Sequence, residues 1–175
     1  MTVVTSTLEM VSGTVVFTDL VGFTEFNAVR GDADAVQLLA KQEQLVAAAL
    51  PSDARLVKEL GDGLLLWFPD ATSALCTALD LLPRFDAHSD ATGLPPWVRI
   101  GLHWGRQTIR GDDLVGHDVN VAARIVDVAG SGEVLLSQAT RTAIDASLPD
   151  VSFEELGPVV MKGLPEPVPL FRAWR

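Results

Sequence analysis

The chain of 175 residues has little of several features that would define its class. It contains one cysteine, Cys76, which excludes an intrachain disulfide. No apolar run approaches the roughly 20 residues that a membrane-spanning helix needs, and the N-terminus lacks the basic region and apolar core of a signal peptide. Positive charge is scarce, with 13 Lys and Arg against 23 Asp and Glu, which disfavours non-specific binding to nucleic acid or to an anionic membrane. These absences predict a cytoplasmic protein.

What the chain does contain is typical of one globular domain. Its residues are 48% hydrophobic and 21% charged, and its length is sufficient for one substantial core. We find no internal repeat and no low-complexity tract. The sequence predicts a flexible leader over residues 1–12 and a single domain over residues 13–175.

The succession of hydrophobic patterns predicts an α+β fold. The order βαββαβ indicates a ferredoxin-like antiparallel sheet with helices on one face, followed by extra C-terminal strands. A strand is expected at 14–18, a hairpin at 54–60 and 64–68, and a polar loop at 88–96. A helix from Asp32 to about Leu50 is expected to bury a stripe of apolar residues: Val36, Leu39, Ala40, Val46, Ala47 and Leu50. Such a fold hosts many functions and by itself indicates none.

A first candidate site follows the first predicted strand. Asp19 stands at the strand end, and Gly22, Phe23 and Thr24 turn the backbone and open a helix. A carboxylate in this position can bind a cation, while the free N–H groups of a helix start can bind a phosphate. Most aspartates at strand ends, however, only cap a turn or a helix.

A second candidate is Asp62, between Gly61 and Gly63 at the predicted hairpin turn. It has the composition of an ordinary turn residue. If the hairpin lies beside the first strand, Asp62 comes close to Asp19, and two adjacent carboxylates repel each other unless a cation lies between them. A divalent metal is the usual solution.

The third candidate stretch is 115–126, where a helix is predicted with Asp118 as its N-cap. Its buried stripe is expected to be Val121, Ala122, Ile125 and Ala129. Asn120 and Arg124 then lie one turn apart on another face. An exposed face with Arg124 paired to Asp127 explains this segment equally well.

Taken together and in order, these stretches resemble the catalytic domain of class III nucleotidyl cyclases, the adenylyl and guanylyl cyclase family. The matching segments are FTDLVGFT, VKELGDG, VRIGLHWG, VNVAARI and MKGLPEPVPLF. They cover nearly the whole chain, which looks most like a stand-alone bacterial adenylyl cyclase. Five segments in one order are far more specific than any one of them.

The resemblance implies residue roles in converting ATP to 3′,5′-cyclic AMP and pyrophosphate. Asp19, Asp62 and the carbonyl of Leu20 would bind two Mg²⁺ or Mn²⁺ ions in each active site. Arg124 would stabilise the transition state, Asn120 would orient the ribose, and Lys162 would hold the terminal phosphates. Read without the family, Lys162 is an ordinary surface lysine.

The resemblance also implies the choice of base. Adenine offers an acceptor at N1 and a donor at N6, and Lys58 and Asp113 supply the matching donor and acceptor. Asp112 adjoins Asp113 and is the alternative acceptor. Guanylyl cyclases typically have Glu and Cys at these two positions, so a guanylyl cyclase is the first alternative function. A silent cyclase-like module that only binds nucleotide or dimerises is the second.

Members of this family act as head-to-tail dimers with active sites shared between two chains. Since all the candidate residues are present in one chain, the resemblance implies a homodimer with two equivalent sites. His103, in the VRIGLHWG segment, is expected to be a hydrogen-bonded strand histidine and not a catalytic base.

Overall fold

The computed structural model describes residues 9–92, 98–145 and 147–175. Its helices are α1 (Phe23–Arg30), α2 (Asp32–Ala49), α3 (Ala71–Thr92), α4 (His117–Val128) and α5 (Gln138–Ala143). Its strands are β1 (Met10–Leu20), β2 (Arg55–Leu60), β3 (Gly63–Phe68), β4 (Val98–Arg110), β5 (Asp113–Val115), β6 (Val134–Ser137), β7 (Ser152–Val159) and β8 (Val168–Trp174). None of the described helices combines the length and apolar character needed to cross a membrane.

The described residues build one eight-stranded sheet in the order β2-β3-β1-β4-β6-β8-β7, with β5 paired to β4. The pairing is antiparallel throughout except between β4 and β6, which run parallel. The first four long strands and their helices follow the predicted βαββαβ order, and their arrangement β2-β3-β1-β4 is that of a ferredoxin-like sheet. The predicted α+β fold with extra C-terminal strands is confirmed.

The central strand β1 is buried on both sides because helices cover both faces of the sheet. Val16 points into the large core formed with α1, α2 and α3. The prediction of helices on one face was wrong, because α4 covers the opposite face. Val15 and Phe17 point to the other face, where α4 packs with Val119, Ala122 and Val126. Alternating side chains of one strand thus serve two cores.

The buried face of α2 differs from the predicted stripe. Its buried residues are Ala35, Leu38, Gln42 and Val46, whereas Val36 is 63% exposed. Of the predicted stripe, only Val46 is buried. The prediction was wrong because it admitted apolar residues only, and the true face, at helical spacing, contains a glutamine that is satisfied by hydrogen bonds.

Two predicted boundaries also change. The first strand begins at Met10, because β4 extends far enough to pair Met10 with Thr108, so residues 10–12 belong to the sheet and not to a leader. Residues 1–8 of the predicted leader lie outside the described residues. The helix α3 continues to Thr92, into the predicted loop, whose residues 93–97 also lie outside the described part.

Candidate active site

The pairing of β1 with β3 brings the two candidate metal-binding carboxylates together. Asp19 is the register partner of Gly63, so the turn residue Asp62 adjoins it, as predicted. Burial and, next, the negative charge of Asp19 raise the pKa of the Asp62 carboxyl above its usual value. A cation placed between the two groups would relieve this repulsion.

Two glycines make this close approach possible. Gly61 has φ of 65°, a left-handed conformation that the turn requires. A Cβ on Gly63 would lie 2.9 Å from the Thr18 carbonyl oxygen, so a larger residue would push the hairpin away from β1. The Gly-Asp-Gly sequence therefore fixes both the turn and the distance of Asp62 from the strand beside it.

Gln42 holds the same turn from α2 and was missed from the sequence. Its buried Nε2 donates to the Asp62 carbonyl oxygen at 3.1 Å and to Thr18 Oγ1 at 3.3 Å. These bonds explain why a polar residue is tolerated in the helix core. They also tie the backbone of Asp62 to a rigid element.

Arg99 is a second residue that the sequence did not single out. It is the register partner of Asp19 on β4, and its Nε and Nη2 lie 2.7 and 2.6 Å from Asp19 Oδ2. Its Nη1 donates to the Asp127 carbonyl oxygen at 3.0 Å, near the end of α4. Arg99 thus places a permanent positive charge beside the candidate metal site.

The start of α1 has the geometry expected for an anion site. Gly22 has φ of 77°, and its carbonyl oxygen accepts from Phe26 N at 2.9 Å. The N–H groups of Phe23 and Thr24 lie in the first turn, where they have no intrahelical acceptor. Leu20, just before this turn, is buried at the end of β1.

Lys58 and Asp113 form a direct ion pair, with 2.6 Å between Nζ and Oδ2. Asp113 Oδ1 also accepts from Leu114 N at 2.7 Å, and the hydrogen bond from Lys58 contributes most to lowering the pKa of Asp113. Of the two adjacent acids, Asp113 is the partner of Lys58, whereas Asp112 is exposed. A donor and an acceptor therefore lie side by side at the sheet edge.

The helix α4 presents Asn120 and Arg124 on its exposed face, and its predicted buried stripe is confirmed. Arg124 Nη1 lies 2.8 Å from Asp127 Oδ2. The prediction that Asp118 is the N-cap was wrong. Gly116 occupies that position with φ of 139°, and Asp118 instead uses its carboxylate to accept from the backbone of β4.

Within one chain the candidate residues remain in separate groups. No hydrogen bond or ion pair within the described ranges joins Arg124 or Lys162 to Asp19 or Asp62. Lys162 is exposed on the segment before β8. Within the described residues of one chain, three candidate groups therefore lie apart: the carboxylates of Asp19 and Asp62, the Lys58–Asp113 pair, and the face of α4 that carries Arg124.

His103 is hydrogen-bonded within β4, as predicted. Its Nδ1 lies 2.8 Å from Ser137 Oγ, and its Nε2 lies 3.4 Å from Asp118 Oδ1. Burial lowers the pKa of His103 below its ordinary value, although the carboxylate of Asp118 opposes this effect. Burial therefore favours the neutral form of this imidazole.

We expect His103→Gln to flatten the dependence of folding stability on pH. Since the pKa of His103 is lower in the folded chain, the unfolded chain binds more protons below about pH 6.5, and the wild type loses stability there as pH falls. One such group changes the free energy of unfolding by at most about 1.4 kcal/mol per pH unit. Urea unfolding at pH 7.5 and 5.5, at one protein concentration, measures the difference. If wild type and His103→Gln lose equal amounts of stability between pH 7.5 and 5.5, the prediction is wrong.

The chain matches a family model described as the adenylate and guanylate cyclase catalytic domain over residues 6–171. A pH-sensitive adenylate cyclase of Mycobacterium tuberculosis is 32% identical over 164 residues, which are 93% of this chain and 40% of that protein. A serine/threonine-protein kinase of Myxococcus xanthus is 27% identical over 93% of this chain and 20% of its own length. The chain thus spans well under half the length of these relatives.

Solved structures show the same fold. The adenylyl cyclase CyaB of P. aeruginosa superposes with a TM-score of 0.85 at 21% identity, over 97% of both chains. The guanylate cyclase domain of RhGC from Catenaria anguillulae, in complex with GTP, superposes with a TM-score of 0.78 at 24% identity over 94% of this chain and 97% of that one. The fold therefore accommodates domains named for either nucleotide.

Proposed function

Because the chain belongs to the adenylate and guanylate cyclase catalytic domain family, we propose that it is an adenylyl cyclase, converting ATP to 3′,5′-cyclic AMP and pyrophosphate. The observation that carries the choice of ATP is the Lys58–Asp113 pair, a donor and an acceptor 2.6 Å apart. This pair matches the acceptor N1 and the donor N6 of adenine. Guanine presents the reverse polarity at these positions and would face two mismatched groups.

The candidate metal site fits a hard divalent cation. Asp19 and Asp62 offer carboxylate oxygens. Burial first, and then the negative charge of Asp19, raises the pKa of Asp62, and a cation bound between the two groups would compensate that charge. No cluster of three or more ligand side chains occurs in the described residues, so further ligands would be the Leu20 carbonyl, phosphate oxygens and water. When bound, Mg²⁺ or Mn²⁺ supplies charge that acidifies the ribose 3′-hydroxyl and neutralises the triphosphate.

The remaining residues bind and orient the nucleotide. The N–H groups of Gly22, which is the N-cap of α1, and of Phe23 and Thr24 in its first turn bind phosphate oxygens at the positive end of the helix. Arg99, already beside Asp19, adds a cation that can contact the same phosphates. In the reaction the O3′–Pα bond forms, the bond from Pα to the pyrophosphate oxygen breaks, and the 3′-hydroxyl proton leaves to solvent.

A second group of residues, the amide Asn120 and the cations Arg124 and Lys162, is contributed across a dimer. Asn120 orients the ribose, Arg124 stabilises charge on the α-phosphate oxygens, and Lys162 holds the terminal phosphates. Within the described ranges, no hydrogen bond or ion pair joins these residues to Asp19 or Asp62 of their own chain. A head-to-tail homodimer places them opposite the carboxylates of the partner and closes two equivalent sites.

Product analysis tests the proposed activity. Purified protein incubated with ATP and Mn²⁺ is expected to form cyclic AMP and pyrophosphate in equal amounts, and addition of a chelator is expected to stop the reaction. Asp62→Ala, which removes one half-buried carboxylate from the hairpin turn, is expected to lose the activity while remaining folded. A folded, dimeric wild-type sample that forms no cyclic nucleotide from ATP or GTP would support a silent module instead.

A further inference from the structure

Asp118 lies in the first turn of α4, two residues before Asn120, but does not cap the helix. Its Oδ2 accepts from the backbone N–H of Arg106 in β4 at 2.6 Å. Its Oδ1 lies 3.4 Å from His103 Nε2 in the same strand. One carboxylate thus connects the beginning of α4 to two positions of the sheet.

His103 is itself fixed from the opposite side. Its Nδ1 lies 2.8 Å from the Oγ of Ser137. Ser137 is the N-cap of α5, and its Oγ accepts from Thr140 N at 3.2 Å. Thr140 Oγ1 in turn accepts from Trp104 N at 2.8 Å and contacts the Leu102 carbonyl oxygen at 3.3 Å. The imidazole cannot turn away from Asp118 without losing its hydrogen bond to the buried Ser137 hydroxyl, which these bonds hold in place.

The strand is shaped to receive this carboxylate. A Cβ on Gly105 would lie 2.0 Å from Asp118 Oδ2, so any larger residue would displace it. At the other end of α4, a Cβ on Gly101 would lie 2.5 Å from Val126 N. Contact at Gly101 sets how closely the helix packs, whereas the Asp118 contact at Gly105 sets the position of its first turn.

We propose that Asp118 is a positioning residue that fixes the first turn of α4 and thereby the orientation of Asn120 and Arg124. The inference rests on the proposed cyclase function for its kinetic consequence, but its structural consequence is independent of any activity. Without the carboxylate, the first turn loses its bond to Arg106 N and its contact with His103. A displacement of about 1 Å in a catalytic group is enough to reduce the rate about a hundredfold.

Hydrogen exchange measured by mass spectrometry tests the structural part. In Asp118→Ala, amide exchange in peptides covering α4 is expected to accelerate about tenfold, the effect of one lost hydrogen bond to a charged group. Asp86→Ala, which removes an exposed carboxylate from α3, is the matched control and is expected to leave α4 unchanged. If α4 exchanges at the wild-type rate in Asp118→Ala, the proposal is wrong, whether or not the protein is a cyclase.

Steady-state kinetics test the positioning of Arg124. Asp118→Ala is expected to lower kcat by about ten- to a hundredfold with little change in KM, because the misplaced groups act mainly in the transition state. Asp118→Asn, whose amide oxygen still accepts from Arg106 N, is expected to regain most of the loss. In an Arg124→Ala background the effect of Asp118→Ala is expected to shrink, because only the part that acts through Asn120 remains. An undiminished effect in that background would overturn the role assigned through Arg124.

A second variant applies if Asp118→Ala does not fold. Gly105→Ala leaves the carboxylate in place but occupies the space where its Oδ2 lies. It is expected to accelerate exchange in α4 and to lower kcat as Asp118→Ala does. Normal exchange in α4 of a folded Gly105→Ala protein would contradict the proposal.

Discussion

Asp19→Ala and Arg124→Ala chains, each nearly inactive alone, are expected to regain about one quarter of the wild-type activity when mixed in equal amounts. Each single variant is expected to lose at least about a hundredfold in kcat, since one removes a proposed metal ligand and the other the proposed transition-state cation. Random pairing makes half of the dimers mixed. In each mixed dimer one site receives the intact Asp19 of one chain and the intact Arg124 of the other.

The matched control is a mixture of Asp19→Ala with Asp62→Ala. Both residues belong to the same side of the proposed site, so every site in their mixed dimer lacks one carboxylate. Activity is expected to stay at the level of the single variants. Two results would contradict the shared site: no recovery in a sample where mixed dimers are demonstrated by differential tagging, or equal recovery in the control mixture.

Replacement of the two residues proposed to recognise the purine base is expected to reverse the nucleotide preference. In the double variant Lys58→Glu with Asp113→Cys, the ammonium donor is replaced by a carboxylate that accepts from guanine N1 and its amino group. We expect the ratio of kcat/KM for ATP to that for GTP to fall by about a thousandfold, because sites built around hydrogen bonds reject mismatched analogues strongly. The single variant Lys58→Glu faces Asp113 with a like charge, so it is expected to be poor with both nucleotides.

The control for this exchange is Asp112→Cys. Asp112 adjoins Asp113 in sequence but is exposed, whereas Lys58 is bonded to Asp113. Asp112→Cys is expected to leave the ratio of kcat/KM for ATP to that for GTP within about threefold of wild type, as is usual for surface substitutions. A preference that shifts in Asp112→Cys and not in the double variant would identify Asp112 as the residue that reads the base.

Local sequence patterns were sufficient to predict the strand and the turn that carry the candidate carboxylates. Asp19 follows a buried strand, and the Gly-Asp-Gly turn at Asp62 lies between two apolar runs, so both patterns could be read within a few residues. Their adjacency needed one assumption, that the hairpin pairs with the first strand, and the register of Asp19 with Gly63 confirms it.

Residues whose role depends on non-local pairing could not be predicted in this way. Arg99 contacts Asp19 because β4 runs antiparallel to β1 in one particular register, which no local pattern specifies. Gln42 is polar, so the predicted apolar stripe of α2 does not include it, although the structure buries it on the same helix face as Leu38 and Val46. Asp118 has the residue type of an N-cap, and only the close approach of Gly105 shows that its carboxylate bonds to the sheet.

One competition experiment tests the central claim most directly. Purified wild-type protein is given ATP and GTP at equal concentrations with Mn²⁺, and cyclic AMP and cyclic GMP are separated and quantified at low conversion, so that their ratio equals the ratio of kcat/KM values. The Lys58–Asp113 pair predicts cyclic AMP in excess by at least about a hundredfold. Predominant cyclic GMP would be compatible with the proposed metal site at Asp19 and Asp62 but would contradict the assignment of ATP as the substrate.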